Sequence, residues 1–278
     1  MAYALEDEFG DIIGKARRGL GLSTAQIADA TGLTEAQLSQ MEDYTLKPTE
    51  NKTHIIARAL NLDGAKLVDI AMERWAPEPV QPGYDDALEV VTVSANVGGY
   101  PVNAYILVCN DTNNAAIIDT AAHPDVILQK IQDIGVTPTV ILLTHAHSDH
   151  ADGLPSIENA TGCPTYIHAD EPKPQSSQQL RLLKHGDVVS VGNLTVETLD
   201  TPGHTPGGCS FYTRTTAIVG DAIFAGSVGG PNISYRQEIS SVQNHLLSLP
   251  DDVKLFPGHG PPTTVGEEKK HNPFFVSL

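Results

Sequence analysis

The stretch Val140-Ile141-Leu142-Leu143-Thr144-His145-Ala146-His147-Ser148-Asp149-His150 decides the fold and points to a metal site. Its first part is apolar and predicts a buried strand, and four residues able to bind a metal follow within six positions. In an extended segment alternate residues share a face, so His145 and His147 are placed to approach one ion. Asp149 and His150 begin the next element and are placed to reach a second ion. Core packing is a poor explanation for such a run.

Three further candidate ligands lie downstream, each after a strand-like stretch or a glycine turn. They are His204 after Gly203, Asp221 after Gly220 and His259 after Gly258. Side chains in such positions gather at the ends of sheet strands. The resulting set of imidazoles and carboxylates, without a thiolate, predicts two divalent metal ions. Zinc suits it best, and iron and manganese also fit because availability as well as affinity decides occupancy.

This ordered pattern resembles the metallo-β-lactamase fold superfamily, and it is most similar to the branch of glyoxalase II-like hydrolases. Further segments shared with that branch are Pro202-Gly203-His204-Thr205-Pro206-Gly207, Phe256-Pro257-Gly258-His259-Gly260-Pro261 and His271-Asn272-Pro273-Phe274-Phe275. The resemblance implies an α/β fold, an αβ/βα sandwich with the ligands along one edge. It implies that His145, His147 and His204 hold the first metal, that Asp149, His150 and His259 hold the second, and that Asp221 bridges them. Asp119 would lie beneath the metal loop and orient a ligand imidazole.

The ligand types predict hydrolysis of a carbonyl compound. Two cations about 3.5–4 Å apart share a water and lower its pKa to roughly 7, which supplies hydroxide at neutral pH. That hydroxide would attack a small thioester, ester or lactone, with Asp149 and Asp221 as the catalytic carboxylates. The interpretation is a binuclear glyoxalase II-like hydrolase, and the alternatives in the same class are a lactonase and an iron-dependent persulfide dioxygenase.

The substrate is less clearly marked than the metal site. The residues after Asp221 lack the Arg-x-Asp pattern of glyoxalase II-like enzymes, and no helical domain for glutathione precedes the end at Leu278. Both features disfavour a glutathione thioester. The candidate substrate contacts are Tyr235 and Arg236, which follow the altered loop, and His168, which ends a predicted strand.

Short β runs and helices alternate through the second part of the chain. The predicted strands are Glu89 to Val93, Ala104 to Val108, Ala115 to Asp119, Val140 to Leu143, Thr165 to Ile167, Leu194 to Leu199, Cys209 to Tyr212 and Thr216 to Val219. A helix is predicted from Pro124 to Gly135. The closely spaced prolines of residues 77–83 predict a linker, so the sequence divides into a helical domain at residues 1–76 and a hydrolase domain at residues 84–278.

The helical domain carries two capping boxes, Ser23 to Gln26 and Thr34 to Gln37, separated by a glycine turn at Thr31-Gly32-Leu33. Two short helices joined in this way predict a helix-turn-helix. The span from about Phe9 to Met72 resembles the Cro/repressor family, which implies that the helix Thr34 to Met41 enters the major groove of DNA. By that resemblance Gln26, Gln37 and Gln40 are the candidate DNA contacts.

Charge argues against strong DNA binding by this domain. Seven Lys and Arg residues face eight Asp and Glu residues between Gly10 and Ala71, and the whole chain has a formal net charge of −17. Affinity for DNA depends on basic groups that neutralise phosphates. A local basic surface is still compatible with the sequence, and its candidate residues are Arg17, Arg18, Lys47 and Lys52. Two hypotheses therefore stand beside the hydrolase: a DNA-binding regulator with a metal-containing sensor domain, and a helical module for docking or for formation of a homodimer.

Composition indicates a folded protein of the cytoplasm. The 278 residues are 40% hydrophobic, which is ample for one large or two modest cores. The amino end is acidic, without a basic segment followed by an apolar one, and no apolar run approaches the ~20 residues that cross a bilayer. No membrane partner is expected. Cys109, Cys163 and Cys209 are odd in number and lie in strand-like contexts, so we expect reduced core residues.

Overall fold

The computed structural model describes residues 4–80, 87–120, 123–174 and 179–276. Its first part is helical throughout. The helices are α1 (Phe9–Gly19), α2 (Thr24–Thr31), α3 (Glu35–Glu42), α4 (Glu50–Ala59) and α5 (Gly64–Ala71). The side chains of Ser23 and Thr34 accept hydrogen bonds from the backbone of Gln26 and Gln37, which confirms both predicted capping boxes. Gly32, with φ of +65°, ends α2 in the left-handed region that favours glycine.

The remainder of the described chain is an α/β sandwich of two six-stranded sheets. The first sheet has the order β1 (Leu88–Val97), β2 (Tyr100–Cys109), β3 (Asn114–Ile118), β4 (Thr137–Leu142), β5 (Thr165–His168) and β6 (Leu180–Leu183). The second contains β7 (Val188–Val191), β8 (Leu194–Asp200), β9 (Cys209–Thr213), β10 (Thr216–Gly220), β13 (Lys254–Pro257) and β14 (Thr263–Thr264), in the order β14-β13-β10-β9-β8-β7. A small hairpin joins β11 (Ile223–Phe224) to β12 (Ser227–Val228). The helices of this part are α6 (Pro124–Ile134), α7 (Ser148–Ala151), α8 (Leu154–Thr161), α9 (Tyr235–Ser241), which continues as a π-helical turn at Val242–Leu246, and α10 (Val265–His271).

Alternation of side chains along the strands builds three apolar layers. Leu107 of β2 and Phe211 of β9 belong to the layer between the sheets. Ile106, one residue earlier on β2, belongs to the layer under α6 and α8. Because successive strand residues point to opposite faces, one strand supplies both layers. The layer order is the αβ/βα sandwich that the sequence predicts.

The third apolar layer joins the helical region to the sandwich. Ile12 of α1 and Leu67 of α5 lie in the same buried cluster as Leu199 of β8 and Val219 of β10. The five helices therefore cover the outer face of the second sheet together with α9 and α10. A contiguous core of this kind differs from two domains that only share a linker.

Polar contacts reinforce the same junction. The Trp75 ring stacks on His271 with ring centroids 4.9 Å apart, and its Nε1 donates to Glu267. Lys66 Nζ donates to the carbonyls of Lys269 and Phe275. In the predicted linker, Pro77 is buried and Val80 packs against the layer between the sheets, while residues 81–83 lie outside the described part. The domain limits at residues 76 and 84 stay predictions.

The predicted helices and strands are present with ends shifted by a few residues, and the strands β6, β7, β11, β12, β13 and β14 are additional. Cys109, Cys163 and Cys209 are buried and unpaired, as expected. Across the described residues, none of the helices combines the length and the apolar character needed to cross a bilayer.

Candidate metal centre

The metal loop leaves the first sheet where its parallel strands end. Strand β4 pairs in parallel with β3 and β5, and the residues Thr144 to His147 follow it before α7 begins. Asp119, the residue after β3, anchors this loop: its carboxylate accepts hydrogen bonds from Thr144 N at 2.8 Å and from Thr144 Oγ1 at 2.7 Å. Asp119 has φ of +57°, an uncommon backbone conformation for a residue other than glycine. The loop therefore starts from a fixed carboxylate beneath it.

The structure brings all seven predicted ligand residues together. His204 Nε2 lies 3.0 Å from His147 Nδ1, and His259 Nε2 lies 3.4 Å from Asp149 Oδ2. Three overlapping groups have potential ligand atoms within 4.8 Å of one another: His145 with His147 and His204; His145 with His150 and Asp221; and Asp149 with His150 and His259. The first and third groups are the two ligand sets that the family resemblance implies.

Asp221 lies between these two sets. Its Oδ2 is 3.5 Å from His204 Nε2 and 3.5 Å from His259 Nε2, and its Oδ1 is 3.4 Å from His150 Nε2. Asp221 follows β10, beyond Gly220, whose φ of +50° turns the chain into the cluster. One carboxylate thus faces the imidazoles of both sets, which is the position of a bridging ligand.

Hydrogen bonds to the outer ring nitrogens orient three of the imidazoles. His150 Nδ1 lies 2.9 Å from Asp119 Oδ2, His204 Nδ1 lies 2.7 Å from the Gly230 carbonyl, and His259 Nδ1 lies 2.8 Å from the Pro101 carbonyl. Each acceptor requires a proton on Nδ1, so each ring presents the lone pair of Nε2 to the centre. Asp119 thus lies where the sequence predicts it, between the metal loop and a ligand ring.

Three inner atoms of the cluster fit a metal because they make no hydrogen bond. His145 Nε2, His150 Nε2 and Asp221 Oδ1 are buried and make no hydrogen bond to any described residue. A buried polar atom left unpaired costs free energy, so native proteins rarely keep several in one place without a ligand. Coordination to metal ions, with the imidazoles neutral and the carboxylate ionised, would satisfy these atoms. The described residues therefore suit a binuclear metal site.

Without metal, protons would occupy part of this site. Burial lowers the pKa of His150, but Asp221 and Asp119 outweigh it and hold that pKa well above the usual value. Burial raises the pKa of Asp221, but His150 and the other imidazoles hold it well below the usual range. Burial and the neighbouring His150 hold the pKa of His145 well below its usual value. Metal ions must displace the bound protons, so metal affinity falls as the pH falls.

Glu171 is a supporting residue that the sequence analysis missed. This buried carboxylate accepts a hydrogen bond from Ala146 N at 2.9 Å and from Gly207 N at 2.8 Å. It thereby ties the loop between His145 and His147 to the turn after His204. No spacing rule marks Glu171, because its two partners are distant in sequence. Only the buried charge at the end of β5 distinguishes it, and burial cannot be read from the sequence.

The predicted substrate contacts are placed differently from expectation. The Tyr235 ring packs against Gly19 of α1 and against Phe274, at 6.2 Å between ring centroids. Arg236 is exposed. Among the described residues, neither makes a hydrogen bond, ion pair or ring contact with a metal-binding side chain. The expectation that Tyr235 presents its phenol to the substrate is therefore not supported, because its ring fills the junction with the helical region.

His168 is also held by structural contacts. Its Nε2 lies 3.2 Å from Asp200 Oδ1, and its Nδ1 accepts a hydrogen bond from Asp170 N. The ring is buried. Nδ1 is thus engaged by the backbone that follows β5, while Nε2 faces Asp200 in the segment that precedes His204, so both nitrogens are directed toward other parts of the protein.

The candidate DNA contacts are exposed, but two of them already serve the helix ends. The side-chain oxygens of Gln26 and Gln37 accept hydrogen bonds from the backbone N–H groups of Ser23 and Thr34. Gln40 is exposed. The assignment of α2 and α3 to a DNA-binding helix-turn-helix stays a prediction.

Comparison with known proteins recognises the sandwich. Residues 97–259 match the model described as "Metallo-beta-lactamase superfamily". The chain belongs to this superfamily. It is 34% identical over 200 residues to "Probable metallo-hydrolase YqgX" of Bacillus subtilis, a match that covers 64% of this chain and 94% of the relative. It is 31% identical over 209 residues to "Hydroxyacylglutathione hydrolase GloC" of Haemophilus influenzae, covering 66% of this chain and 99% of the relative.

A solved structure gives the same result for the fold. The protein TTHA1623, crystallised in a di-iron-bound form, is 31% identical, with a TM-score of 0.57 over 66% of this chain and 100% of that chain. These matches leave about a third of the present chain without a counterpart. The helices α1 to α5 all lie before residue 97, outside the matched family model.

Proposed function

We propose that this protein is a binuclear metal-dependent hydrolase that cleaves a thioester or a related ester. The observation that carries the proposal is the position of Asp221, whose carboxylate faces the imidazoles of both ligand sets and has a buried oxygen without a hydrogen-bond partner. The similarity to GloC, named as a hydroxyacylglutathione hydrolase, favours a thioester among the carbonyl substrates. Lactone hydrolysis and iron-dependent oxidation of a persulfide remain the alternatives within the enzyme class.

In this proposal His145, His147 and His204 hold one ion, Asp149, His150 and His259 hold the other, and Asp221 contacts both. Two bound divalent cations supply a water of lowered pKa and an electrophile for the substrate carbonyl. Zinc is the metal we favour for this donor set. Iron is the second choice, and the di-iron form of the similar structure supports it.

Asp149 is the residue best placed to hold the reacting water. Its side chain is 32% exposed, against 8% for Asp221, so it faces the open side of the cluster. The outer nitrogens of His150, His204 and His259 are occupied by fixed acceptors and cannot exchange protons with the substrate. The free carboxylate oxygen of Asp149 is therefore the proposed base for the attacking water and the proposed carrier of its proton to the leaving group.

Among the described residues, none of the three cysteines is a competing covalent nucleophile at the centre. Cys209 is buried and contacts the Leu143 carbonyl, and Cys109 and Cys163 are buried elsewhere. Burial and neighbouring carboxylates raise the pKa of the Cys209 thiol well above its usual value, which makes a thiolate unfavourable. Direct attack by water is therefore the chemistry that these residues favour.

The test is elemental analysis of the purified full chain, followed by assays on a thioester, a lactone and glutathione persulfide. We expect about two metal equivalents per chain and the highest kcat/KM on the thioester. His147→Ala should lose one metal equivalent and more than about a hundredfold in activity, since loss of a ligand exceeds the effect of its supporting residues. The exposed Asp125→Asn serves as the control.

Other outcomes separate the alternatives. Full metal content and activity in His147→Ala would reject the ligand assignment. Oxygen consumption with glutathione persulfide, dependent on iron and without thioester turnover, would favour the dioxygenase. Salt-sensitive binding to DNA with no turnover of any substrate would favour the regulator.

A further inference from the structure

The segment ahead of α1 crosses the edge of the metal centre. It meets the turn that carries the ligand His259: a Cβ placed on the next residue, Gly260, would lie 2.9 Å from Glu6 Cβ and 3.2 Å from Glu6 N. Gly260 has φ of +72°, so glycine is favoured there on conformational grounds as well as steric ones. Glu6 is thus in van der Waals contact with the backbone beside a metal-binding residue.

Two further contacts fix this segment against the cluster. Asp7 is buried and pairs with Lys15 of α1, and Lys15 Nζ also donates to the Val228 carbonyl at 2.8 Å. The Lys15 ammonium lies 4.8 Å from the centroid of the Phe224 ring. Phe224 in turn meets the His259 ring edge-on, with ring centroids 5.7 Å apart. Asp7, the residue after Glu6, is therefore held in place beside the hairpin that contacts His259, and Glu6 itself lies against Gly260.

The charge of Glu6 acts on the same part of the site. Glu6 is half-buried, and burial raises the pKa of its carboxyl group above the usual value; the charges of His259 and Lys15 oppose that rise, and those of Asp7 and Asp221 add to it. Lys15 is already paired with Asp7, which leaves Glu6 as a carboxylate beside the second ligand set. Asp149, the most exposed carboxylate of the cluster, belongs to that set. A substrate that approaches over His259 therefore meets negative charge from the protein.

This residue lies outside the region shared with the relatives. The family match begins at residue 97, and the matched relatives are covered almost completely by about two thirds of this chain. The contact of Glu6 with the turn after His259 is consequently an addition to the shared hydrolase scaffold. Changes at the rim of a conserved site alter substrate choice without altering the chemistry.

We propose that Glu6 forms one wall of the substrate cleft beside His259 and selects thioesters or esters that carry a cationic group near the scissile carbonyl. Substrates with a carboxylate at that position are disfavoured, because like charges held together at a partly buried site are costly. The proposal rests on the proposed hydrolase function and names its substrate class. Glu6 is a specificity residue and takes no part in bond breaking.

The first test compares two thioesters that differ only in an amine or a carboxylate on the acyl chain. We expect the wild type to prefer the amine by about tenfold in kcat/KM, mainly through KM, and Glu6→Gln to reduce this preference below about twofold. Glu6→Lys should reverse it. Glu8→Gln is the matched control, because Glu8 is exposed, lies two residues away and changes the net charge equally. Glutamine keeps the oxygen that caps α1.

The second test needs no turnover. The cobalt(II)-loaded protein is titrated with 2-aminoethanethiol and with 3-mercaptopropionate, and the visible absorption of the metal reports binding. Tighter binding of the amine in the wild type and in Glu8→Gln, lost in Glu6→Gln, supports the proposal. The same charge preference without turnover of any thioester would reject the hydrolase function and retain the role of Glu6. Turnover without a charge preference would reject the role of Glu6 alone, and failure to take up metal would reject both.

Discussion

The sandwich and the helical region share a hydrophobic core but use their polar side chains differently. In the sandwich, His145 Nε2 and His150 Nε2 lie in one cluster and make no hydrogen bond to a described residue, and a family match covers the segment. In the helical region the charges are matched within the chain, as between Arg17 and Glu42. Buried polar atoms without a hydrogen bond, as in the sandwich, indicate a ligand-binding site. Helices that resemble a known family but have their charges paired, as in the helical region, indicate a fold and not a ligand.

Glu238 provides the sharpest test of that comparison, because it is an unsatisfied buried group that belongs to neither ligand set. It lies on α9, is fully buried, and its carboxylate has no hydrogen-bond partner among the described residues. Burial raises the pKa of Glu238 from 4.5 to about 9. We therefore expect a neutral acid in the folded protein at neutral pH, and no metal.

The folded pKa of Glu238 exceeds the unfolded one, so its contribution to stability is complete below about pH 4.5 and is lost as the pH rises toward 9. Glu238→Gln should abolish this pH-dependent loss of stability. Relative to wild type, the free energy of unfolding of the variant should rise by up to about 3 kcal/mol between pH 5 and 7.5. Urea unfolding at the two pH values measures it, with the exposed Glu89→Gln as control. Parallel pH profiles for wild type and variant would show that Glu238 is ionised and has a partner.

Asp119→Asn tests whether the metal centre depends on its supporting carboxylate. Asparagine tolerates the positive φ of this position, so the backbone should persist. Its amide cannot accept all three hydrogen bonds that Asp119 accepts from Thr144 and His150. We expect a loss of about 10- to 100-fold in metal affinity or activity. Dialysis against a chelator and steady-state assays measure the two quantities, and an unchanged metal affinity would reject the role of Asp119.

The sequence predicted the metal centre better than it predicted the surroundings. His145 to His150 are close in sequence, so the spacing of ligand residues and the family resemblance grouped them correctly, although His145 and His147 lie in the loop after β4. Glu171 and Tyr235 depend on contacts with Gly207 and Gly19, which are remote in sequence. The core shared by the helical region and the sandwich was not predicted for the same reason. An amphipathic helix pattern indicates that one face is buried, but it does not identify the distant residues against which that face packs.

Two of the strands missed by the sequence analysis, β6 and β7, share a physical cause. Leu180–Leu183 and Val188–Val191 are short edge strands, and two of the four residues in each are exposed. The hydrophobic pattern of such strands is weak. Their extended conformation depends on pairing with the adjacent strand, which supplies their hydrogen bonds. The predicted strands β2, β3 and β10, by contrast, have long buried runs, as in Tyr100–Cys109.

Trp75→Ala tests whether the two regions unfold together. The indole stacks on His271, lies against Gly226 and donates to Glu267, so the substitution removes contacts across the junction. Because the ring is only partly buried, we expect a loss of about 2 kcal/mol, below the usual cost for a core tryptophan. Unfolding followed both by circular dichroism and by loss of metal-dependent activity should shift as one transition, whereas the exposed Tyr100→Ala should not shift it. Two separate transitions would show independent domains.

DNA binding gives the smallest expected effect. Lys47 pairs with Glu73, Lys52 donates to the Thr31 carbonyl, and Arg17 pairs with Glu42. Three of the four residues of the predicted basic surface are thus engaged within the chain, and phosphate contacts would have to replace these interactions. We expect binding to random duplex DNA no tighter than the nonspecific range of about 10⁻⁴–10⁻⁶ M at physiological salt, measured by fluorescence anisotropy.

Gln40→Ala makes this prediction specific to the helix that the resemblance assigns to the major groove. Because Gln26 and Gln37 cap helices, Gln40 is the candidate whose substitution leaves both capping boxes intact. We expect Gln40→Ala to bind DNA as weakly as the wild type, because we expect Gln40 to make no contact with a base. Binding below about 10⁻⁷ M to the DNA upstream of its own gene, weakened by Gln40→Ala and by added salt, would overturn this expectation. Such a result would mean that the helical region has a ligand of its own despite its matched charges, and the regulator hypothesis would then take precedence.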